Sequence, residues 1–180
     1  MDLNGNNENI FIHDKFVYIK RNNKTFKYDN AFQLVECLDF TIDKQIVTNL
    51  YTFKQNAVHK FENLEKMVNN EILRTYSGQD IVDFHTFKDN FVYIDSKGEL
   101  FKENEGSLGY TIKSPYKFYK TFIYFTKNRN LVKLDLVNLI QETVKKNVKP
   151  SLIEVFDDLI VLNINGAVQI ISKDINLTSS

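Results

Sequence analysis

Residues Asp158–Asp174 read DLIVLNINGAVQIISKD. An apolar, β-branched run from Leu159 to Ile164 leads into Asn165-Gly166, and a second apolar run leaves it. Asn-Gly is the dipeptide that two-residue hairpin turns favour, because both central residues there need positive φ. The stretch therefore predicts a β-hairpin, and helical spacing does not fit it.

The same design recurs towards the N-terminus. It reads TFIYFTKNRNLVKLDL from Thr121, NFVYIDSKGELFKEN from Asn90, LYTFKQNAVHKFEN from Leu50 and KFVYIKRNNKTFKYDN from Lys15. Each copy has an apolar strand, a short polar turn and a second apolar strand. The turns are Lys127-Asn128-Arg129, Ser96-Lys97-Gly98, Gln55-Asn56 and Arg21-Asn22-Asn23. The first apolar positions, Phe16, Leu50, Phe91, Phe122 and Leu159, recur every 31 to 41 residues. A period in that range marks a repeat architecture. Ile19, Phe53, Ile94, Phe125 and Leu162 precede the turns in what reads as one register, so all five are expected in the core. Further strands are expected before the hairpins at Ile10–Ile12, Leu34–Phe40, Ile81–Phe87 and Leu152–Phe156, and after them at Ile72–Tyr76 and Tyr110–Ile112. Leu64–Leu73 and Leu136–Val148 carry helix-like spacing as well, as in Leu136, Leu139, Ile140 and Val144. Three or four short strands per repeat is the content of one propeller blade. A sandwich or barrel built from the same strands is the alternative.

With this rhythm laid out, the chain resembles the WD40-like repeat family across Asn9 to Asp174. That family closes its third strand with an aromatic–acidic pair, usually Trp-Asp. Here Tyr28-Asp29, Phe61-Glu62 and Leu134-Asp135 stand near that place, the third copy shifts to Phe101-Lys102-Glu103, and the fifth ends Ile170-Ile171 before Lys173-Asp174. There is no Trp, and the family's Gly-His dipeptide is absent. The expected fold is all-β and β-propeller-like, with four to five WD40-like blades over residues 9–174. A polar extension (residues 1–8) precedes it and a polar tail (residues 175–180) follows. Family propellers usually close with seven blades. Five copies imply a small five-bladed ring, a ring completed by strands of a partner, or an incomplete, open one truncated from a longer parent protein. The resemblance implies a non-catalytic scaffold or adaptor that mediates protein–protein interactions within a complex.

Composition agrees with a folded interior: 43 % of the 180 residues are hydrophobic, with 15 Phe and 9 Tyr. Twenty-three basic residues balance 23 acidic ones, so net charge draws the chain to neither nucleic acid nor membrane. Cys37 is the only cysteine and cannot form an internal disulfide, which favours a reducing compartment. No apolar run nears the ~18 residues of a membrane span, and none near the N-terminus resembles a signal peptide. The expected location is cytoplasmic or nuclear, with no membrane contact.

Catalytic patterns are missing. His13, His59 and His85 lack neighbours at metal-ligand spacing, so no metal site is assigned. Cys37 lies in an apolar strand, where a thiol acts as a small hydrophobe. No glycine-rich phosphate loop occurs among the six Gly, and no cofactor is expected. Glu103, Glu105, Asp157 and Asp158 read as solvated loop acids. The chain is therefore not expected to be an enzyme.

Charge distribution singles out one region. From Lys113 to Lys149 there are nine basic residues, opposed by Asp135 and Glu142 alone and interleaved with Tyr116, Phe118, Tyr119, Phe122, Tyr124 and Phe125. Lys117, Lys120, Lys127, Arg129 and Lys133 are the candidate partner-binding residues, some of them expected on one face. The partner is an acidic protein surface or, in the alternative reading, RNA or DNA, which would make the chain an accessory subunit contacting nucleic acid through residues 113–149.

Overall fold

The computed structural model describes residues 10–173, so the polar extension and the polar tail, with Asn9 and Asp174, lie outside the described residues. The fold is all-β, made of five small antiparallel sheets of the propeller-blade type. In each sheet the strands neighbour one another in chain order. Blade 1 is β1 (Ile10–His13), β2 (Phe16–Arg21), β3 (Lys24–Tyr28) and β4 (Leu34–Leu38). Blade 2 is β5 (Lys44–Ile46), β6 (Asn49–Lys54), β7 (Ala57–Phe61) and β8 (Arg74–Ser77), with a short helix, α1 (Leu64–Val68), between its last two strands. Blade 3 is β9 (Ile81–Phe87), β10 (Asn90–Asp95), β11 (Glu99–Lys102) and β12 (Gly106–Thr111). Blade 4 is β13 (Tyr116–Tyr119), β14 (Phe122–Lys127), β15 (Asn130–Asp135) and β16 (Gln141–Lys146). Blade 5 has three described strands, β17 (Leu152–Val155), β18 (Leu159–Ile164) and β19 (Ala167–Ser172).

Turn chemistry explains why these sequences fold as hairpins. Both central residues have positive φ at Asn22-Asn23, Gln55-Asn56, Asn128-Arg129 and Asn165-Gly166, the type I′ geometry that continues the strand twist. The strands pair directly across them, as Arg21 with Lys24 and Lys127 with Asn130. Asp14-Lys15 and Lys88-Asp89 repeat the geometry between first and second strands. Two acids of the aromatic–acidic pairs close the next turn. The Asp29 carboxylate accepts from the Ala31 and Gln33 amides at 2.9 Å, and that of Asp135 from Val137 and Asn138 at 2.8 and 3.2 Å.

The chain divides into two compact units, one ending at Thr86 and the other beginning at Phe87. In the first, Phe11, Tyr18, Leu38, Ile42, Leu50, Phe61 and Met67 form the core between blades 1 and 2. Polar groups lock the same seam. The buried Thr25 hydroxyl donates to the Phe40 carbonyl and accepts from the Ile42 amide, both at 2.9 Å, and Lys20 pairs with Asp43. Towards β9, buried Lys44 donates to Asp83 at 2.9 Å and to the Phe84 carbonyl at 2.5 Å, and the Tyr51 and Thr86 hydroxyls share a hydrogen bond of 2.8 Å. In the second unit one cluster, including Val92, Leu100, Ile123, Val132 and Leu134, fills the space between blades 3 and 4. Another, with Tyr124, Leu131, Ile153, Ile160 and Leu162, lies between blades 4 and 5.

Three expectations change. Leu34–Phe40 does not open blade 2; its strand, β4, pairs with β3 as the outer strand of blade 1, and the short β5 opens blade 2. Of the two helix-like stretches, only Leu64–Val68 is helical, capped by the Asn63 side chain accepting from the Lys66 amide at 2.9 Å, whereas Gln141–Lys146 is the strand β16. Ile94, Phe125 and Leu162 are buried, but Ile19 is half-buried and Phe53 is 37 % exposed. Phe53 stands one residue nearer its two-residue turn than Ile19, Phe125 and Leu162 do, so the five do not share one register relative to the turn.

Candidate interaction surfaces

An open groove of about 800 Å³ runs along the seam between blades 1 and 2. Four chain segments build it. The β2–β3 turn supplies Asn23, the β4–β5 connection supplies Asp39, Phe40 and Thr41, the β6–β7 hairpin supplies Phe53, Lys54, Gln55 and His59, and the α1 insertion supplies Met67, Asn70 and Ile72. Buried Phe61 and Met67 make the floor, and partly exposed Phe53 and Ile72 make apolar walls. The insertion is fixed by backbone hydrogen bonds from Glu71 to Lys66 and from Leu73 to Lys60, both 2.8 Å. Asp43 anchors the hairpin wall, accepting from the Phe53 amide at 2.6 Å.

Some polar groups around the groove are accounted for within the protein. Asp39 pairs with Lys24 at 3.2 Å, and the His59 ring contacts the Thr75 hydroxyl at 3.0 Å. Asn23, Gln55 and Asn70 have no side-chain hydrogen bond, and Lys54 has no ion pair, among the described residues. Sequence reading missed this site because its walls come from separate segments between residues 23 and 72. The Asn-rich turns read as turn formers alone.

The five basic candidates fall at three places. Lys117 and Lys133 lie opposite Tyr124 on adjacent strands, in a cross-strand row that ends at Glu142, so these two do share a face. Lys120 sits in the β13–β14 turn at one end of blade 4. Lys127 and Arg129 flank the β14–β15 turn at the other end, because successive antiparallel hairpins turn at opposite ends.

Most of these cations have internal partners. Lys117 pairs with Glu154 of blade 5 at 3.4 Å, and Lys120 pairs with Asp157 at 2.7 Å. The ammonium of Lys127 lies 5.1 Å from the Tyr110 ring and donates to Gln141 at 3.3 Å, and that of Lys133 stands 4.1 Å over the Phe122 ring. Arg129 is exposed and has no such contact among the described residues. Two of the five cations are thus paired with acids of the blade 5 segment. Hydrogen bonds from Lys120 and Tyr119 hold the Asp157 carboxyl below the usual range. Lys173, over the Tyr119 ring at 4.1 Å, is shifted down by burial and by the nearby Lys133. Burial, reinforced by Tyr119 and Glu142, pushes the Tyr124 phenol up to about 12.

Other sequence candidates behave as structural groups. His13 lies 3.3 Å from Asp14, and His85 is buried in β9. Cys37, expected to be buried, is exposed on β4, because that strand is the outer edge of its blade. Glu105 pairs with buried Lys102 at 3.1 Å. Among the described residues no three His, Cys, Asp or Glu side chains converge as metal ligands would, and no helix is long and apolar enough to cross a membrane.

No family model matches the chain, and no curated protein sequence matches it. Solved structures do match in fold. Hsv2 of Kluyveromyces lactis is similar over 89 % of this chain and 57 % of its own, with a TM-score of 0.59 and 12 % identity. The WD40 domain of Neurospora crassa Pan2 covers 93 % of this chain and 61 % of its own, with a TM-score of 0.56 and 10 % identity. The computationally designed protein Ika8 covers 91 % of this chain and 70 % of its own, with a TM-score of 0.54 and 10 % identity. The chain thus spans about 60 % of the two natural proteins. At these identities the likeness is one of fold: the chain shares a β-propeller architecture that includes a WD40 domain among its neighbours.

Proposed function

We propose that this chain is a non-catalytic interaction scaffold that holds protein partners within a complex. The β14–β15 turn carries the reading. Arg129 stands exposed in a type I′ turn without an ion pair among the described residues, near Lys127, while Lys117 and Lys120 of the same blade are paired with Glu154 and Asp157. A guanidinium presented this way is complementary to a carboxylate on an acidic partner and raises the association rate by steering. Completion of the propeller by a partner's strands belongs to the same reading. The nucleic-acid reading draws less support, since Lys117 and Lys120 are committed to Glu154 and Asp157.

The test is affinity capture from the source cells with the wild-type chain and with the double variant Lys127→Glu/Arg129→Glu, followed by mass spectrometry and salt titration of the complex. Wild type should retain a defined protein partner whose association slows with salt. The double variant should fold normally and lose that partner. If both proteins recover the same partners at the same salt, the turn is not the docking point.

A further inference from the structure

We infer that the groove between blades 1 and 2 is a peptide-binding site for an extended segment carrying an apolar anchor residue beside an acidic one. The inference rests on the scaffold reading and adds a second surface with its own partner chemistry.

Its volume, about 800 Å³, falls within the range of ligand sites, yet the groove is open along one side and would not enclose a small molecule. An extended peptide suits that shape. The apolar part is specific: Phe61 and Met67 are buried beneath it, while Phe53, 37 % exposed, and Ile72, 42 % exposed, leave aromatic and aliphatic surface uncovered. Interfaces gain most from one such anchor in a water-excluding pocket. The rim adds directionless polar capacity. The side-chain amides of Asn23, Gln55 and Asn70 each offer donors and an acceptor, and none is used within the described residues. A peptide backbone needs both kinds of partner, whereas a phosphate or carboxylate ligand would need donors alone.

Charge selects the flanking residue. Asp39 sits in an exposed ion pair with Lys24, and Asp43, which anchors the hairpin wall, pairs with Lys20. His59 is engaged with Thr75. Among the described residues Lys54 is the charged lining residue without an ion pair, and it is adjacent in sequence to the Phe53 wall. An Asp or Glu within two or three residues of the anchor meets it, and a basic residue there is repelled.

The experiment selects a displayed library of random twelve-residue peptides on the full chain. The most enriched sequence is then synthesised with a fluorescent label for anisotropy titration. Enriched peptides should share an aromatic or aliphatic residue with Asp or Glu nearby. Binding should fall tenfold or more in Phe53→Ser, several-fold in Lys54→Glu, and not at all in Arg129→Glu. Circular dichroism confirms that each variant folds, and Ile72→Ser provides a second wall substitution if Phe53→Ser does not. No enriched motif, a basic motif, or binding that survives both Phe53→Ser and Lys54→Glu would overturn the inference. If native partners still depend on Arg129 while the groove selects nothing, this inference fails and the scaffold reading stands.

Discussion

Replacing Gly98 with alanine tests the hairpin geometry of blade 3 directly. Gly98 has φ +83°, in the left-handed region, and its carbonyl accepts from the Ile112 amide at 2.7 Å. A Cβ built on it would stand 2.7 Å from the Ile112 carbonyl oxygen, a backbone atom that cannot swing aside. The left-handed conformation alone costs an alanine about 1–2 kcal/mol. Moving β12 away to relieve the clash weakens the Ile112 hydrogen bond, worth about 1 kcal/mol. Together the substitution should cost about 2–3 kcal/mol, which lowers Tm by roughly 4–12 °C for a chain of this size. Gly166 is the control. Its φ is +82°, but nothing lies within 4 Å of its Cβ position, so Gly166→Ala carries the conformational cost only, about 1–2 kcal/mol. Thermal melts followed by circular dichroism, with a urea titration of each variant, measure the difference. If Gly98→Ala and Gly166→Ala are equally destabilised, the close approach of Ile112 contributes nothing, and the argument from steric contact fails.

Phe91→Ala should cost about 3–5 kcal/mol in urea titration, because Phe91 is fully buried, and a midpoint within error of wild type would contradict that placement. Phe122→Ala should cost clearly less, since Phe122 is only partly buried, and equal losses would show that partial exposure does not matter there. Asp83→Ala leaves the Lys44 ammonium without its carboxylate in a buried site and should cost about 3–5 kcal/mol, while the double variant Asp83→Ala/Lys44→Met recovers part of the loss; a double variant worse than the single would refute the pairing. Asp157 has its folded pKa lowered, chiefly by its hydrogen bond from Lys120. Its stabilising effect is therefore present above its unfolded value near 3.8 and disappears as pH falls through the lower folded value. The difference in denaturation midpoint between wild type and Asp157→Asn should vanish in strong acid, and a difference that persists there would remove Asp157 as its source.

The hairpins were legible because their turns are written in local chemistry. Asn22-Asn23, Asn128-Arg129 and Asn165-Gly166 adopt the positive φ pairs that their residue types tolerate, and the flanking strands alternate as half-buried strands do. The first strands of blades 2 and 4 were not legible. β5 is three residues, Lys44–Ile46, and its buried position is held by Lys44, which reads as a surface residue until Asp83 and the Phe84 carbonyl are seen beside it. β13 reads Tyr116-Lys117-Phe118-Tyr119 and looked like part of a basic patch, because Lys117 finds its acid on β17. β16 imitated a helix by the spacing of Leu136, Leu139, Ile140 and Val144, but that spacing crosses a turn, with Leu139 itself at positive φ.

The basic stretch shows most directly what a linear reading cannot resolve. Counting Lys and Arg from 113 to 149 against two acids treats charge as local in sequence. In a propeller each blade is covered by the next, so the relevant acids for blade 4 are those of blade 5, some forty residues downstream by the spacing of the repeat. Glu154 and Asp157 are those acids, and both lie beyond the stretch whose charge was counted. The correction leaves a sharper object than the original patch. Of five cations, Lys117 and Lys120 pair with Glu154 and Asp157, Lys127 and Lys133 lie against the Tyr110 and Phe122 rings, and Arg129, in the β14–β15 turn, has no such contact among the described residues. The same logic exposes the groove. Among the described residues Lys54 lines it without an ion pair, and the Asn and Gln that punctuate the turns carry side-chain amides without hydrogen bonds at its rim. On the peptide-binding proposal, residues that set the backbone geometry of the turns would also form the polar edge of the site.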